Sequence, residues 1–439
     1  MKVIHQFFYF NITNTSNKFD MEFSEDIKKL LAEHYPDKDI YNMSLQELKQ
    51  FKEEISNLRQ EYSLLELAYK TLGNAAYGAA ANQFFYFYNV ALAGDITGEC
   101  RNLTKTMWHN LEDFFHEKIW ERKDLWEKFD FALDESKHDW YREQPISIYS
   151  DTDSVYTTYG TLFQVMTPES QVKYDTDQKK TEFILKFNKE FLDKQNNIWC
   201  EEIYGPRHGQ NVHEFELETI SKAGIYLAKK KYLKGLVFNK GKFINPPKVS
   251  GTGIEIIKST TPKLCRTILT DLTKSLMFDF DDSTNQKREE YIMFFNDKLS
   301  EYRRQFYQAP EEDISQSIGT GDYKKYVIDD TNQLLLGKGT PVSVHAVARF
   351  NYLAHKNGDD SKKFYSGKIK YYNIRTGLGK NDTGYFGFPA GELPLWAPKM
   401  DKLTQWQKTV IDPINRFLEV MKIPLVNASN VVQLELQLF

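Results

Sequence analysis

From Leu45 onward, apolar residues recur every three to four positions: Leu45, Leu48, Phe51, Ile55, Leu58, Tyr62, Leu65 and Leu72. That period lets a helix gather its apolar side chains into one stripe, and Ser44 with Glu47 makes an S-x-x-E capping box at the start. The pattern predicts one long amphipathic helix running to about Gly78. Upstream, residues 1–40 are mixed, with a short helical stretch around Ser24 to His34 that ends before Pro36. A second helical run extends from about Ile96 through Trp108 and Leu111 to Phe115. The period then drops to two. Ile146 to Tyr149 and Val155 to Tyr159 flank a polar tip of Ser150, Asp151, Thr152, Asp153 and Ser154, which predicts a hairpin. An amphipathic segment, "FILKFNKEFLDKQNNIW", and a strand-like one, "HEFELETISKAGIYLAKKKYLKGLVF", follow. Thr261 suits an N-cap with Pro262 in the first turn, and two long charged helices continue to about Phe306. Residues 340–439 mix Gly-rich turns, short strands and a helix near Lys408 to Met421.

A chain of 439 residues has room for two or three domains. A formal net charge of −4 removes the overall basicity of a DNA-coating protein, so any phosphate-binding role must rest on local clusters. Cys100, Cys200 and Cys265 are far apart and have no zinc spacing, which fits a reducing cytosol. There is no run of about 18 apolar residues and no leader-like start, so the expectation is a soluble, cytoplasmic protein with no membrane partner. The sequons "NIT" and "NTS" are patterns common by chance.

Three clusters carry candidate chemistry. In "KTLGNAAYGAAANQ", Lys70, Asn74, Tyr77 and Gly78 fall on one side of a helix, offering a cation, an amide, a ring and a gap without a side chain. The same stretch also reads as a helix packing its small residues against a neighbour. In "ISIYSDTDSVYTTYG", Asp151 and Asp153 lie two apart on the hairpin, and carboxylates so close repel unless a cation sits between them. Such a DxD also reads as an exposed polar turn, as a nucleotide-sugar glycosyltransferase motif, or as a haloacid-dehalogenase-type nucleophile motif. The last needs a loop and helix where a returning strand is predicted. An EF-hand fails because Val155 would be its fifth position. In the third cluster Glu216 and Glu218 alternate on a predicted strand. There Lys229, Lys230, Lys231 and Tyr232 offer either a phosphate-backbone contact or a solvated charge run.

Taken in order, K-x-x-x-N-x-x-Y-G, a DTDS hairpin and KKKY resemble the motifs Kx3NSxYG, YGDTDS and KKRY of family B DNA polymerases. The surroundings "YGAAANQFFYFYN", "FELETI" and "STTP" are most similar to the T-even-phage branch. The likeness runs from about residue 45 to the C-terminus. Ala75, Ser150 and Lys231 depart from the family's Ser, Gly and Arg, and the last weakens bidentate phosphate contact.

The resemblance implies an α+β right-hand polymerase fold with an antiparallel palm sheet, helical fingers and a mainly helical thumb. The N-terminal and exonuclease domains would be absent. Its domains would be partial fingers at 1–82, palm at 83–252, thumb at 253–432 and a clamp-binding tail at 433–439. It implies template-directed addition of dNMP to a primer 3′-hydroxyl with two Mg²⁺ ions, held by Asp153 and Asp151 with Glu218 nearby. Lys70 and Asn74 would hold the triphosphate, Tyr77 and Gly78 would line the nascent base pair, and Lys229, Lys230, Lys231 and Tyr232 would grip the primer–template. A further metal-binding aspartate, in the family's DxxSLYPS motif, has no counterpart here. The expectation is therefore a split polymerase whose partner chain brings that aspartate and the exonuclease, with a fragment of a longer gene as the other option. Gln433, Leu436 and Phe439 match the Q-x-x-h-x-x-F spacing of sliding-clamp-binding peptides. Two alternatives stand beside this reading: a metal-dependent DxD glycosyltransferase, and a non-catalytic DNA-binding accessory.

Overall fold

The computed structural model describes residues 43–208, 215–321, 340–375 and 383–428, together with Tyr35. The predicted helix at Ser24 to His34 and the tail residues Gln433, Leu436 and Phe439 lie outside the described residues. The chain divides into two compact units. One comprises the residues up to Glu218 with Phe238–Phe243, and the other comprises Thr219–Val237 with the residues from Ile244 on.

In the first unit, helix α1 spans Leu45–Ala81. It starts where the capping box requires: the Glu47 amide donates to Ser44 Oγ at 3.3 Å and the Ser44 amide donates to Glu47 Oε2 at 2.7 Å. The stripe is buried only near this end, at Phe51 and Ile55. From Tyr62 to Leu72 it is exposed. Helix α2, Val90–Asp113, begins earlier than its apolar pattern suggests because Asn89 caps it, accepting from the Leu92 amide at 3.0 Å.

Helix α2 runs on through a π-type turn, Phe114–Lys118, and a last turn, Ile119–Glu121. The π-turn sets Phe114 and Phe115 both inward. Short helices α3, Lys123–Phe129, and α4, His138–Arg142, lead to strands β1, Ser147–Asp151, and β2, Ser154–Thr157. Strand β2 stops before Tyr159, where helix α5, Gly160–Val165, begins. Helix α6, Pro168–Lys173, precedes α7, Asp177–Phe187, and a second π-type turn joins α7 to α8, Asp193–His208. An aromatic core binds these helices to the foot of the hairpin. Phe115 meets Tyr159 edge-on at 5.4 Å, Phe129 meets Phe187 at 5.0 Å, and Asn188 Nδ2 donates to the Tyr159 hydroxyl at 2.9 Å. Burial pushes the Tyr159 phenol well above its ordinary pKa, keeping it neutral.

The second unit holds most of a sheet ordered β3–β4–β5, spanning Thr219–Ala228, Lys231–Asn239 and Lys242–Thr252. Glu216 and Glu218 lie just before β3 rather than alternating along it. Helix α9 spans Lys263–Phe278 with Pro262, not Thr261, as its N-cap residue. A proline there fixes φ and lacks the amide that the first turn leaves unpaired. Helix α9 buries Cys265, Ile268, Leu269, Leu272 and Leu276, and shares a core with Tyr291, Phe295 and Leu299 of α10, Asn285–Gln308.

The region expected to be mainly helical also contains an antiparallel sheet, β6–β7–β8, of Gln316–Thr320, Gly367–Arg375 and Thr383–Pro389. Helix α11, Val342–Lys356, packs on it. Gly387 permits that approach, since a Cβ there would stand 2.8 Å from the Ala346 Cβ. Helices α12, Lys402–Trp406, and α13, Asp412–Val420, complete the unit and bury Trp406, Ile414 and Phe417.

Candidate metal and nucleotide site

The hairpin is tighter than its sequence suggests. Asp151 is the last residue of β1 and pairs with Ser154, so the turn consists of Thr152 and Asp153 alone. The two aspartates do not alternate along one strand. A β-bulge between Ser147 and Tyr149 inserts Ile148 and shifts the register, bringing Tyr149 opposite Tyr156, where the rings meet edge-on at 5.3 Å. The Asp153 amide donates to the Asp151 carbonyl at 2.6 Å across Thr152, whose φ is +52°. A γ-turn with positive φ is a strained conformation, more so at a β-branched residue, and costs on the order of 1–3 kcal/mol. Local bonds hold it: Ser154 Oγ donates to the Asp151 carbonyl at 3.0 Å and Thr152 Oγ1 donates to Asp151 Oδ1 at 3.1 Å.

Two residues of α2, which the sequence reading did not single out, hold the hairpin at opposite ends. At the turn, buried Thr104 Oγ1 lies 3.0 Å from the Thr152 carbonyl and 2.8 Å from that of Cys100, sharing its one proton between them. At the foot, the Glu112 carboxylate accepts from the Ser147 amide at 2.7 Å and the Ile146 amide at 3.2 Å. Thr104 and Glu112 are eight residues apart on one helix face, about 12 Å along the axis. That is close to the span of the short strand they brace.

Mg²⁺ is ordinarily held by one or two carboxylates, water and substrate phosphates, so Asp151 and Asp153 fit it as hard oxygen donors. Glu218 does not join them. It pairs with Lys240 at 3.0 Å, and among the described residues no three His, Cys, Asp or Glu side chains form a group able to hold a metal ion.

Lys70, Asn74, Tyr77 and Gly78 share one side of α1, and all four are exposed. A Cβ added at Gly78 would meet nothing within 4 Å, which leaves open space beside the Tyr77 ring. In the second unit, Lys229 and Lys230 form the turn between β3 and β4, and Lys231 opens β4. All three lysines are exposed, whereas Tyr232 is buried with its ring 5.7 Å from that of Tyr226. Tyr232 thus anchors the turn instead of offering its face to a ligand. Gly253, at φ +67°, holds the turn from behind, because a Cβ there would fall 2.0 Å from the Lys230 carbonyl oxygen.

Gln433, Leu436 and Phe439, the clamp-binding candidates, are outside the described residues. No protein-family model matches the chain, and no curated protein matches it. Among the described residues, no helix is long and apolar enough to cross a membrane.

Proposed function

We propose that this chain is the C-terminal catalytic part of a template-directed DNA polymerase, acting with a second chain that carries a further aspartate in a DxxSLYPS motif. The observation that carries the reading is the strained turn bearing Asp151 and Asp153, braced at both ends by α2. Enzymes tend to hold strained backbone where side-chain placement matters to the chemistry. Its position in the sequence, after K-x-x-x-N-x-x-Y-G and before KKKY, separates it from an isolated DxD.

Two Mg²⁺ ions held at such a site supply positive charge to the attacking and leaving oxygens of an in-line displacement at phosphorus. The chain's own residues do the placing. Asp151 and Asp153 provide anionic oxygens on a turn whose backbone Thr104 restrains. Lys70 offers a cation to the triphosphate, Asn74 a hydrogen-bonding amide, and Tyr77 beside Gly78 a surface and a gap for the nascent base pair. Lys229, Lys230 and Lys231 neutralise duplex phosphates without reading sequence. By this reading the partners are primer–template DNA, the four dNTPs, the motif-bearing chain and, through residues 433–439, a sliding clamp.

Fluorescence anisotropy of a labelled primer–template tests the reading. With the two chains mixed and Ca²⁺ in place of Mg²⁺ to block chemistry, the complementary dNTP alone is expected to tighten DNA binding, and Lys70→Ala to remove that effect. Equal responses to all four dNTPs would contradict templated binding, and a response to a sugar nucleotide instead would favour the DxD glycosyltransferase.

A further inference from the structure

Glu112 does not hold the foot of the hairpin alone. His116 lies four residues further on, in the π-type turn, and its Nε2 stands 2.8 Å from the Gln144 carbonyl oxygen and 3.4 Å from Glu112 Oε2. A carbonyl only accepts, so Nε2 carries the hydrogen and donates it to Gln144, with the Glu112 carboxylate beside it. The ring is itself held in place. It meets the fully buried ring of Tyr141 edge-on at 5.9 Å, and His138 Nε2 donates to the His116 carbonyl at 2.7 Å while the His138 ring stacks on Trp120 at 4.3 Å.

The grip falls where the chain is stiff. Pro145 has a fixed φ and confines Gln144, the residue before it, to extended backbone, so the place of the Gln144 carbonyl constrains Ile146 and Ser147. Those two residues give their amides to Glu112, and the Ile146 carbonyl accepts from the Thr158 amide at 2.8 Å, just past the end of β2. Both strands of the hairpin are thus tied at a foot that Glu112 and His116 define. From Ser147 to Asp151 the strand spans about 13 Å, so a change of direction at the foot moves the carboxylates at the far end.

We propose that His116 is a positioning residue for the two aspartates: it fixes the Gln144 carbonyl and the Glu112 carboxylate together, and so sets the direction in which β1 delivers Asp151 and Asp153. The proposal rests on the polymerase reading. His116 acts through Glu112 and Gln144, on the opposite end of the hairpin from the metal site. Misplacing a reacting group by about 1 Å changes a rate by up to about a hundredfold, so the geometry of the foot bears on the chemistry.

The test compares His116→Phe, which keeps a flat ring and loses the donor, with His116→Gln, whose amide nitrogen falls near the place of Nε2. His138→Phe, which keeps a ring for Trp120 to stack on and frees the His116 carbonyl, is a milder variant that carries the test if His116→Phe does not fold. Two readouts are taken well below each unfolding temperature. One is the Mn²⁺ bound by the full chain, followed by electron paramagnetic resonance and counted as the part that Asp153→Asn removes. The other is primer extension by the two-chain enzyme across Mg²⁺ and dNTP titrations. His116→Phe is expected to weaken Mn²⁺ binding about fivefold and to lower kcat about tenfold or more, with KM for dNTP within about twofold of wild type, since Lys70 and Asn74 are untouched. His138→Phe should move both readouts the same way by a smaller factor, and His116→Gln should recover most of the loss. A residue that merely stabilises the fold would lower the unfolding temperature and leave kcat and Mn²⁺ affinity at wild-type values, and that result would overturn the proposal. So would a loss that a folded His116→Gln fails to recover. No extension by the wild-type mixture, with Mn²⁺ binding still weakened by His116→Phe, would leave the positioning role standing and sink the polymerase reading. Neither extension nor Mn²⁺ binding in wild type would sink both.

Discussion

Asp153→Asn is expected to lower primer extension by the two-chain enzyme about a thousandfold or more, a loss of roughly 4 kcal/mol in transition-state stabilisation. The substitution keeps the shape of the side chain and removes its charge. Asp153 is exposed at the turn, so the fold should tolerate the change. Two nearby carboxylates repel when no cation sits between them, so without Mg²⁺ the variant should unfold at the same temperature as wild type or slightly higher. Adding Mg²⁺ with primer–template and dNTP should stabilise wild type and leave the variant unmoved. Activity lost while bare-protein stability holds or rises would place Asp153 in the chemistry. A merely structural residue would lose both together, and an unchanged extension rate would remove Asp153 from the mechanism.

Glu112→Ala should have the largest effect on stability. Its carboxylate is the acceptor for the amides of Ile146 and Ser147, both almost wholly buried. Each buried donor left without a partner costs about 1–3 kcal/mol, so for the two amides a loss of roughly 2–6 kcal/mol is expected by urea unfolding followed through tyrosine and tryptophan fluorescence. Glu112→Gln retains an acceptor oxygen and should recover most of that loss. Thr104→Val, which removes one hydroxyl near the turn, should cost less in stability and proportionally more in extension rate, because it frees the Thr152 carbonyl beside the aspartates. If Glu112→Ala unfolds at the wild-type midpoint, Glu112 is not what holds the foot of the hairpin.

The contrast between these residues shows what the sequence made legible. Strong local signals translated directly: the Ser44 and Glu47 capping box opens α1, and the alternating runs around Asp151 and Asp153 form a hairpin. Signals that depend on distant contacts did not. Thr104 and Glu112 meet partners 48 and 35 residues away, and nothing local marks them beyond two polar residues eight apart beside the buried stripe of Leu103, Met107 and Leu111.

Tyr232 read as a DNA contact because KKKY is contiguous in sequence, yet its ring is buried beside Tyr226 while the three lysines are exposed. Glu218 read as a strand residue alternating with Glu216 and lying near the aspartates, but it precedes β3 and pairs with Lys240. The apolar repeat of α1 predicted the helix correctly, while which of its positions are covered is not encoded in the periodicity.

The central claim is that this chain holds one part of a metal site shared between two chains. Its most direct test is primer extension in Mg²⁺ with all four dNTPs, using this chain alone, the motif-bearing chain alone, and the two mixed. Extension is expected in the mixture only, abolished by Asp153→Asn in this chain. Robust extension by this chain alone would contradict it, because the remaining metal ligand would then have to lie within these 439 residues.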